Sequence, residues 1–348
     1  MYSKNVVKIG NVYIGGNNKI AIQSMTNTKT KNIKATVNQI LALENLGCDI
    51  IRVAVLDMED ALAIKEIVKQ IHIPLVADIH FDYKLAIAAI EAGASKIRIN
   101  PGNIGSNENV KMVVDKAKMY HIPIRIGINS GSLEKDILAK YGKVTAQGLI
   151  ESMERKVQLI ESFDFHDLVL SIKATDIDMT IEVNKLLKEK FPYPIHIGLT
   201  ESGTILSGSI RSSYALGVLL SNKIGDTIRV SLHGDPCNEI PTVKEILAMH
   251  HLYDKPTLIC CPTCGRTNYN MEPLVKEIDL FLQTINKPIK VAIMGCVVNG
   301  PGEAREADIG VAGGDKVGLI FKKGEILRKV DEKDLATELK KEILLLTK

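Results

Sequence analysis

Two stretches hold most of the residues able to do metal or redox chemistry: "ICCPTCGRTNYN" near residue 260 and, some 30 residues later, "VAIMGCVVNGPGEAREADIG". Cys261 and Cys264 form a C-x-x-C, a spacing that lets two thiolates meet one metal centre while backbone amides point at the sulfurs. Cys296 is the natural third ligand. A structural zinc site would close with a second C-x-x-C or an H-x-x-x-H, and neither follows. The spacing therefore favours an iron–sulfur centre over zinc or a thioredoxin-like dithiol. By sequence distance alone the fourth ligand is open among Cys260, Cys237, Glu303 and Glu306. A cluster held by three thiolates would leave one iron able to bind something else, as catalysis requires.

A second set of candidates is cationic. The chain has 35 lysines but nine arginines, and four of the nine lie in one kind of context: "IIRVAV", "KIRINP", "IRIGINSG" and "TIRVSL". Where surface charge is carried by lysine, arginine in apolar strands suggests bidentate work on a phosphate or carboxylate.

The elements that must position these groups follow from hydrophobic period. Between residues 20 and 232 eight β-branched runs alternate with segments of helical period such as "ATVNQILALENLG" and "EDALAIKEIVKQI". Eight βα units predict a (β/α)8 barrel. Alternation along the strands turns Arg52, Arg98, Arg125 and Arg229 inward. It places Gln23, Asp78, His80, Asn100, Asn129, Ser171, Lys173, Thr200 and Ser231 with them, near the strand C-termini where barrel enzymes keep their chemistry. A composition shift at "MHHLYDKP" sets a domain boundary within 250–257, giving a barrel over 1–252 and a smaller α+β domain, bearing the cysteines, over 253–348.

At 348 residues, 45% hydrophobic and 24% charged, the composition is that of a globular protein. No apolar run approaches the roughly 20 residues needed to span a bilayer, and the first residues lack the pattern of a secretory signal. The expected location is the cytoplasm, where six cysteines argue against a disulfide framework. A net charge of +3, with no basic tract interleaved with aromatics, argues against nucleic-acid binding. Cys48, Cys237 and Cys260 read as buried or unreactive thiols, and His80 and His233, at strand ends without a third metal-ligand partner, as histidines that support the site from behind or pack in the core.

"CPTCGR" followed by "GCVVNGPGEAREADIG", together with "IQSMTNTKT", "ADIHFDYKLA", "KIRINPGNIG" and "GLTESGT" in the barrel, resembles the bacterial 4-hydroxy-3-methylbut-2-enyl diphosphate synthases of the non-mevalonate isoprenoid pathway. The resemblance covers nearly the whole chain in the family's two-domain form. It implies a four-iron four-sulfur cluster on Cys261, Cys264, Cys296 and Glu303. The implied reaction is reductive dehydration of 2-C-methyl-D-erythritol 2,4-cyclodiphosphate, with flavodoxin or ferredoxin as electron donor, in a homodimer whose sites are shared between chains.

The cyclic diphosphate fits the arginines on independent grounds, since guanidinium groups confined to one cavity need a compensating anion. Arg52, Arg98, Arg125, Arg229 and Lys173 are therefore assigned to phosphate. Asn100, Asn129, Thr200 and Ser231 serve as neutral hydrogen-bonding partners, and Glu201 as the candidate proton donor. The competing possibility is that arginines pair with Asp78 or Glu201 and brace the barrel. Two other classes are a Schiff-base aldolase using Lys173, which would not need the cysteines, and a non-catalytic iron–sulfur electron carrier, which would not need the arginines.

Overall fold

A computed structural model describes residues 3–267, 269–285, 287–296, 302, 304–314 and 316–348. The chain forms two compact units, Met1–Leu252 and Tyr253–Lys348.

In the first unit eight strands pair in parallel. They are β3 (Ala21–Met25), β4 (Ile50–Val55), β5 (Leu75–Ile79), β6 (Lys96–Ile99), β7 (Ile124–Asn129), β8 (Leu168–Lys173), β9 (His196–Ile197) and β10 (Thr227–Ile228). β10 pairs with both β3 and β9, and a parallel bridge from Leu170 to Ile195 joins β8 to β9 and closes the ring. Helices α1 (Ile33–Asn45), α2 (Met58–Ile67), α3 (Tyr83–Glu91), α4 (Asn107–Tyr120), α6 (Ala146–Glu161), α7 (Ile177–Lys190), α8 (Ile205–Ser221) and α9 (Glu239–Met249) follow the eight strands in turn. A short α5 (Lys135–Tyr141) is inserted before α6.

Local chemistry sets these boundaries. Side chains of Asp57, Asp82, Ser106, Thr145 and Asp176 accept the first free amides of α2, α3, α4, α6 and α7. α1 buries Thr36, Val37, Ile40 and Leu43, one stripe of helical period against the sheet. In β4, Ile51, Val53 and Val55 are buried on the helix side while Ile50 and Arg52 alternate inward.

The strand reading from residue 20 omits an N-terminal hairpin, β1 (Val6–Ile9) and β2 (Val12–Gly15). Gly10 takes φ 58° in its two-residue turn, which a hairpin of this length favours. Val7, Ile9 and Ile14 pack with Ala21, Ile50, Val76 and Val169, the inward side chains at the strand N-termini. The hairpin thus plugs the barrel floor and leaves the C-terminal mouth as the open end.

The second unit is a five-stranded sheet: β11 (Thr257–Cys260), β12 (Lys290–Met294), β13 (Ile309–Gly313), β14 (Val317–Lys322) and β15 (Glu325–Asp331). β11, β12 and β13 are parallel, and β14 and β15 continue antiparallel. Helices α10 (Met271–Leu282) and α11 (Leu335–Thr347) bury Leu274, Ile278, Leu339 and Ile343 against the sheet. β11 was not anticipated as a strand; it is half exposed at the sheet edge, so its alternation is weak. No described helix is long and apolar enough to cross a membrane.

Candidate active site

Register and alternation sort the barrel's inward side chains into layers, each drawn from alternate strands. Above the apolar floor, Lys96 and Thr227 come first, then Gln23, Val76, Arg125 and His196. Arg52, Arg98, Ser171 and Arg229 form the next layer. Met25, Asp78, Gly127 and Gly198 follow, then Asn100, Lys173 and Ser231. His80, Asn129 and Thr200 stand at the mouth. The strands thus bring the sequence-predicted cationic residues and their neutral neighbours into one interior.

Three of the four arginines have carboxylate partners. Arg98 Nη1 donates to Asp78 Oδ1 at 3.1 Å and its Nη2 to Gly127 O at 3.3 Å. Arg52 Nε lies 3.6 Å from Asp78 Oδ2 and 3.1 Å from Met25 Sδ. Arg229 binds Glu239 through two hydrogen bonds, Nε to Oε2 at 3.1 Å and Nη2 to Oε1 at 3.0 Å. The sequence reading offered Glu201 as a bracing carboxylate, and here it is corrected: the brace is Glu239. Glu201 is exposed and accepts from Thr175 Oγ1 at 3.4 Å. Glu239 is held in turn by Ser24 Oγ at 2.7 Å and the Leu232 amide at 3.3 Å. Arg125 has no such partner: its Nε and Nη1 are buried without a hydrogen bond among the described residues.

Two inward glycines, which the sequence reading also missed, make room for the long side chains. A Cβ on Gly127 would stand 2.5 Å from Arg98 Nε, and one on Gly198 would stand 2.6 Å from Lys173 Nζ. Arg98 and Lys173 therefore lie across positions that any larger residue would fill. The signal was present: a glycine at an inward position in otherwise β-branched strands, "IRIGIN" and "IHIGLT". Glu239 gave a weaker one, a carboxylate in the first turn of an otherwise apolar helix.

Among the described residues, the interior cations Arg52, Arg98, Arg125, Arg229, Lys96 and Lys173 are met by two carboxylates, Asp78 and Glu239. Burial pulls the Arg52 guanidinium down to about 10, Asp78 pulling it partly back while Arg229 and Arg98 push it lower. Burial, then Arg52 and Arg98, push Arg125 well below its ordinary value. Burial followed by Arg52, Arg229 and Arg125 does the same to the Lys173 amine. Burial pushes Asp78 upward, but Arg52, Arg98 and Arg125 outweigh it and hold the carboxyl below the usual range. Such an excess of buried cations is what a site for an anion would carry.

At the mouth Asn100 is buried, and its Oδ1 accepts the Gly102 amide at 3.2 Å. Thr200 and Ser231 are half-buried and Asn129 is exposed. Glu201 takes φ 53°, a left-handed conformation costly for a residue with a Cβ, which turns the chain sharply at the rim. His80 and His233 are exposed. Because Arg229 rests on Glu239, Glu239→Gln should destabilise the folded protein by about 1–3 kcal/mol and raise the KM for an anionic substrate. Denaturant unfolding and steady-state kinetics check this, and an unchanged unfolding midpoint would exclude the brace.

In the second unit the cysteines leave the C-terminal ends of adjacent parallel strands. Cys260 at the end of β11 is paired with Ile293 of β12, and the Cys261 amide donates to Ile293 O at 3.0 Å. Thr263 takes φ 56°, turning the C-x-x-C loop back so that the Cys264 amide donates to Thr267 Oγ1 at 3.2 Å. A Cβ on Gly295 would stand 2.7 Å from that Thr267 Oγ1, so the loop lies directly against the segment carrying Cys296. Cys261 is half-buried, Cys264 exposed and Cys296 buried, and none is in a disulfide. Met294, Ala304 and Phe321 make the neighbourhood of Cys261 apolar. Burial, then the nearby Cys261, raises the Tyr269 phenol, whose hydroxyl donates to Met294 O at 3.2 Å.

Three thiols from two neighbouring strand ends, soft donors in apolar surroundings, fit an iron–sulfur cluster. Among the described residues no three His, Cys, Asp or Glu side chains are already gathered around one metal-ion position. Glu303, the fourth ligand implied by the resemblance, lies outside the described residues. Of the other thiols, Cys48 is buried and pushed up to about 12, chiefly by burial, whereas Cys260 is exposed rather than buried.

Comparison with known proteins finds relatives that match nearly the whole chain. A curated relative from Clostridium perfringens, "4-hydroxy-3-methylbut-2-en-1-yl diphosphate synthase (flavodoxin)", is 56% identical over 334 residues, 96% of each chain. One of the same name from Caldanaerobacter subterraneus subsp. tengcongensis is 57% identical over 338 residues, 97% of this chain and 95% of the relative. Among solved structures, an N-acetylneuraminic acid synthetase from Leptospira borgpetersenii matches with TM-score 0.52 at 13% identity, over 80% of this chain and 97% of that one. A 7,8-dihydropteroate synthase from Vibrio fischeri matches with TM-score 0.51 at 12% identity, over 71% of this chain and 98% of that one. At such identities these two show the fold alone. Residues 4–244 match the GcpE TIM-barrel domain and residues 257–344 the GcpE protein C-terminal domain, so the chain belongs to the GcpE family.

Proposed function

We propose that the protein catalyses the two-electron reductive ring opening and dehydration of 2-C-methyl-D-erythritol 2,4-cyclodiphosphate to 4-hydroxy-3-methylbut-2-enyl diphosphate. The observation that carries this reading is the excess of buried cations over carboxylates in the barrel interior below the mouth, which suits a compact diphosphate. The activity named for relatives that match almost the whole length of the chain supports it. Two electrons and two protons are taken up, the ring carbon–oxygen bond to phosphate breaks, and one hydroxyl leaves as water. Cys261, Cys264, Cys296 and Glu303 would hold a four-iron four-sulfur cluster, which when bound would pass on electrons singly from flavodoxin or ferredoxin.

The chain's own residues bind and orient. Arg52, Arg98, Arg125, Arg229 and Lys173 hold the two phosphates, and Asn100, Asn129, Thr200 and Ser231 hydrogen-bond the remaining oxygens. Glu201, exposed at the rim, is the residue assigned to pass a proton to the departing hydroxyl. The protein works in the cytoplasm as a homodimer in which the cysteine-bearing domain of one chain serves the barrel of the other, as the family resemblance implies. Mixing Arg125→Met chains with Cys264→Ser chains should then restore about a quarter of wild-type activity when subunits exchange at random. No recovery despite demonstrated exchange would mean that each chain serves its own barrel.

The lowered Lys173 amine gives a direct test of the phosphate assignment. An anion beside it raises its pKa, so binding takes up protons, and affinity falls as the pH rises from the lowered value of the free protein toward that of the complex. Calorimetric titration with cyclodiphosphate, without reductant and in buffers of different ionisation enthalpy, should show net proton uptake. Zero uptake at all pH values would remove Lys173 from the phosphate site. A neutral buried amine is also what a Schiff-base lysine needs, and an adduct trapped by borohydride would favour that second reading.

A further inference from the structure

We propose that the barrel interior holds a second anion site, for a single halide-sized monovalent ion, enclosed beneath the arginine layer by Lys96, Arg125, His196 and Gln23. Four observations place it. These side chains are between 0% and 2% exposed. Each presents polar atoms without a hydrogen bond among the described residues: Lys96 Nζ, Arg125 Nε and Nη1, His196 Nε2, and both ends of the Gln23 amide. They belong to adjacent layers by strand register, so their polar ends share one space. Both nearby carboxylates are already committed one layer up or beyond, Asp78 to Arg52 and Arg98, and Glu239 to Arg229.

A lysine and an arginine buried together without an acceptor would repel and lose their hydration with nothing in return. Burial first, then Arg125 and Arg52, lowers the Lys96 amine, and an ion between the two cations relieves that pressure. The imidazole completes the cage. Burial and the surrounding cations keep the His196 ring neutral, and its Nδ1 lies 2.7 Å from Thr227 Oγ1. With the Thr227 hydroxyl donating to Nδ1, the ring proton sits on Nε2 and faces the ion.

The ligand's size follows from its position. The hairpin-packed floor lies below and the arginines above, and adjacent layers, drawn from alternate strands one residue apart, are separated by only about 3 Å. A one-atom anion matches that depth better than a phosphate does. The ion is distinct from the diphosphate at the mouth and fixes Arg125 from beneath.

The test uses the full-length, cluster-loaded protein and sodium bromide. Anomalous diffraction from bromide-soaked crystals should show a peak bounded by Lys96 Nζ, Arg125 and His196 Nε2. The peak should persist when saturating inorganic pyrophosphate occupies the mouth and be absent in Lys96→Met. In solution, bromide or chloride should raise the melting temperature by several degrees over gluconate at equal ionic strength in the wild type, and not in Lys96→Met. Displacement of the peak by pyrophosphate would assign the ion to the substrate site and overturn the proposal. So would a wild-type protein with no interior peak and no halide-dependent melting, the result expected if water alone fills the space; both readouts stand even if Lys96→Met fails to fold.

Discussion

Cys261→Ser, Cys264→Ser and Cys296→Ser should each purify with little or no cluster iron and no detectable turnover. Thiolates are far stronger iron donors than a serine oxygen, and the three sulfurs leave adjacent strand ends where no other described thiol can replace them without moving β11 or β12. Exposed Cys260 is the nearest substitute, yet it belongs to the strand itself, where side chains alternate from one face to the other. Glu303→Ala should retain part of the iron and still lose activity, because a carboxylate is the weaker donor. Iron and sulfide analysis of anaerobically purified protein reads the first effect and turnover with reduced flavodoxin the second. A brown, active Cys296→Ser protein would dismiss the ligand assignment.

Arg125→Met carries the second large effect. Its guanidinium has no carboxylate partner among the described residues, so loss of its phosphate contacts falls in the range of charge-assisted hydrogen bonds, about 1.5–3 kcal/mol. Loss of such contacts predicts a ~10- to 100-fold weaker cyclodiphosphate affinity. Its stability should stay near or above that of the wild type, since an unpaired buried charge is replaced by an apolar side chain. The opposite pattern, unchanged affinity with a large fall in melting temperature, would make Arg125 a brace. Arg229→Met should weaken binding too, but with a loss of stability, because Glu239 is then left buried without its cation.

These contrasts depend on what local sequence shows and what it does not. The eight barrel strands were legible as short β-branched runs between segments of helical period, and the inward direction of Arg52, Arg98, Arg125 and Arg229 follows from the period-2 alternation of the four strands that carry them. The thiol set was legible because C-x-x-C and a lone cysteine before a glycine-rich turn are short-range patterns. Depth was not legible. Lys96 opens "KIRINP" and His196 lies in "PIHIGLT", where a polar residue near a strand start reads as a solvated end. Only the inter-strand register shows that both face the interior below the arginines. Glu239 escaped for a related reason: Arg229 is only 10 residues away, but the pairing depends on the turn between β10 and α9, and Ser24 comes from a strand 215 residues away. β1 and β2 are too short to signal a hairpin until their apolar side chains meet the barrel floor.

The account's central claim is that barrel and cysteine domain together reduce a cyclic diphosphate. Its most direct test is product analysis of a single anaerobic incubation containing cluster-loaded protein, reduced flavodoxin and 2-C-methyl-D-erythritol 2,4-cyclodiphosphate. The predicted result is one linear 4-hydroxy-3-methylbut-2-enyl diphosphate per two electrons consumed, abolished by Cys264→Ser and requiring far more substrate with Arg125→Met. Oxidation of flavodoxin without release of the linear diphosphate, or release of that product without electron consumption, would contradict it.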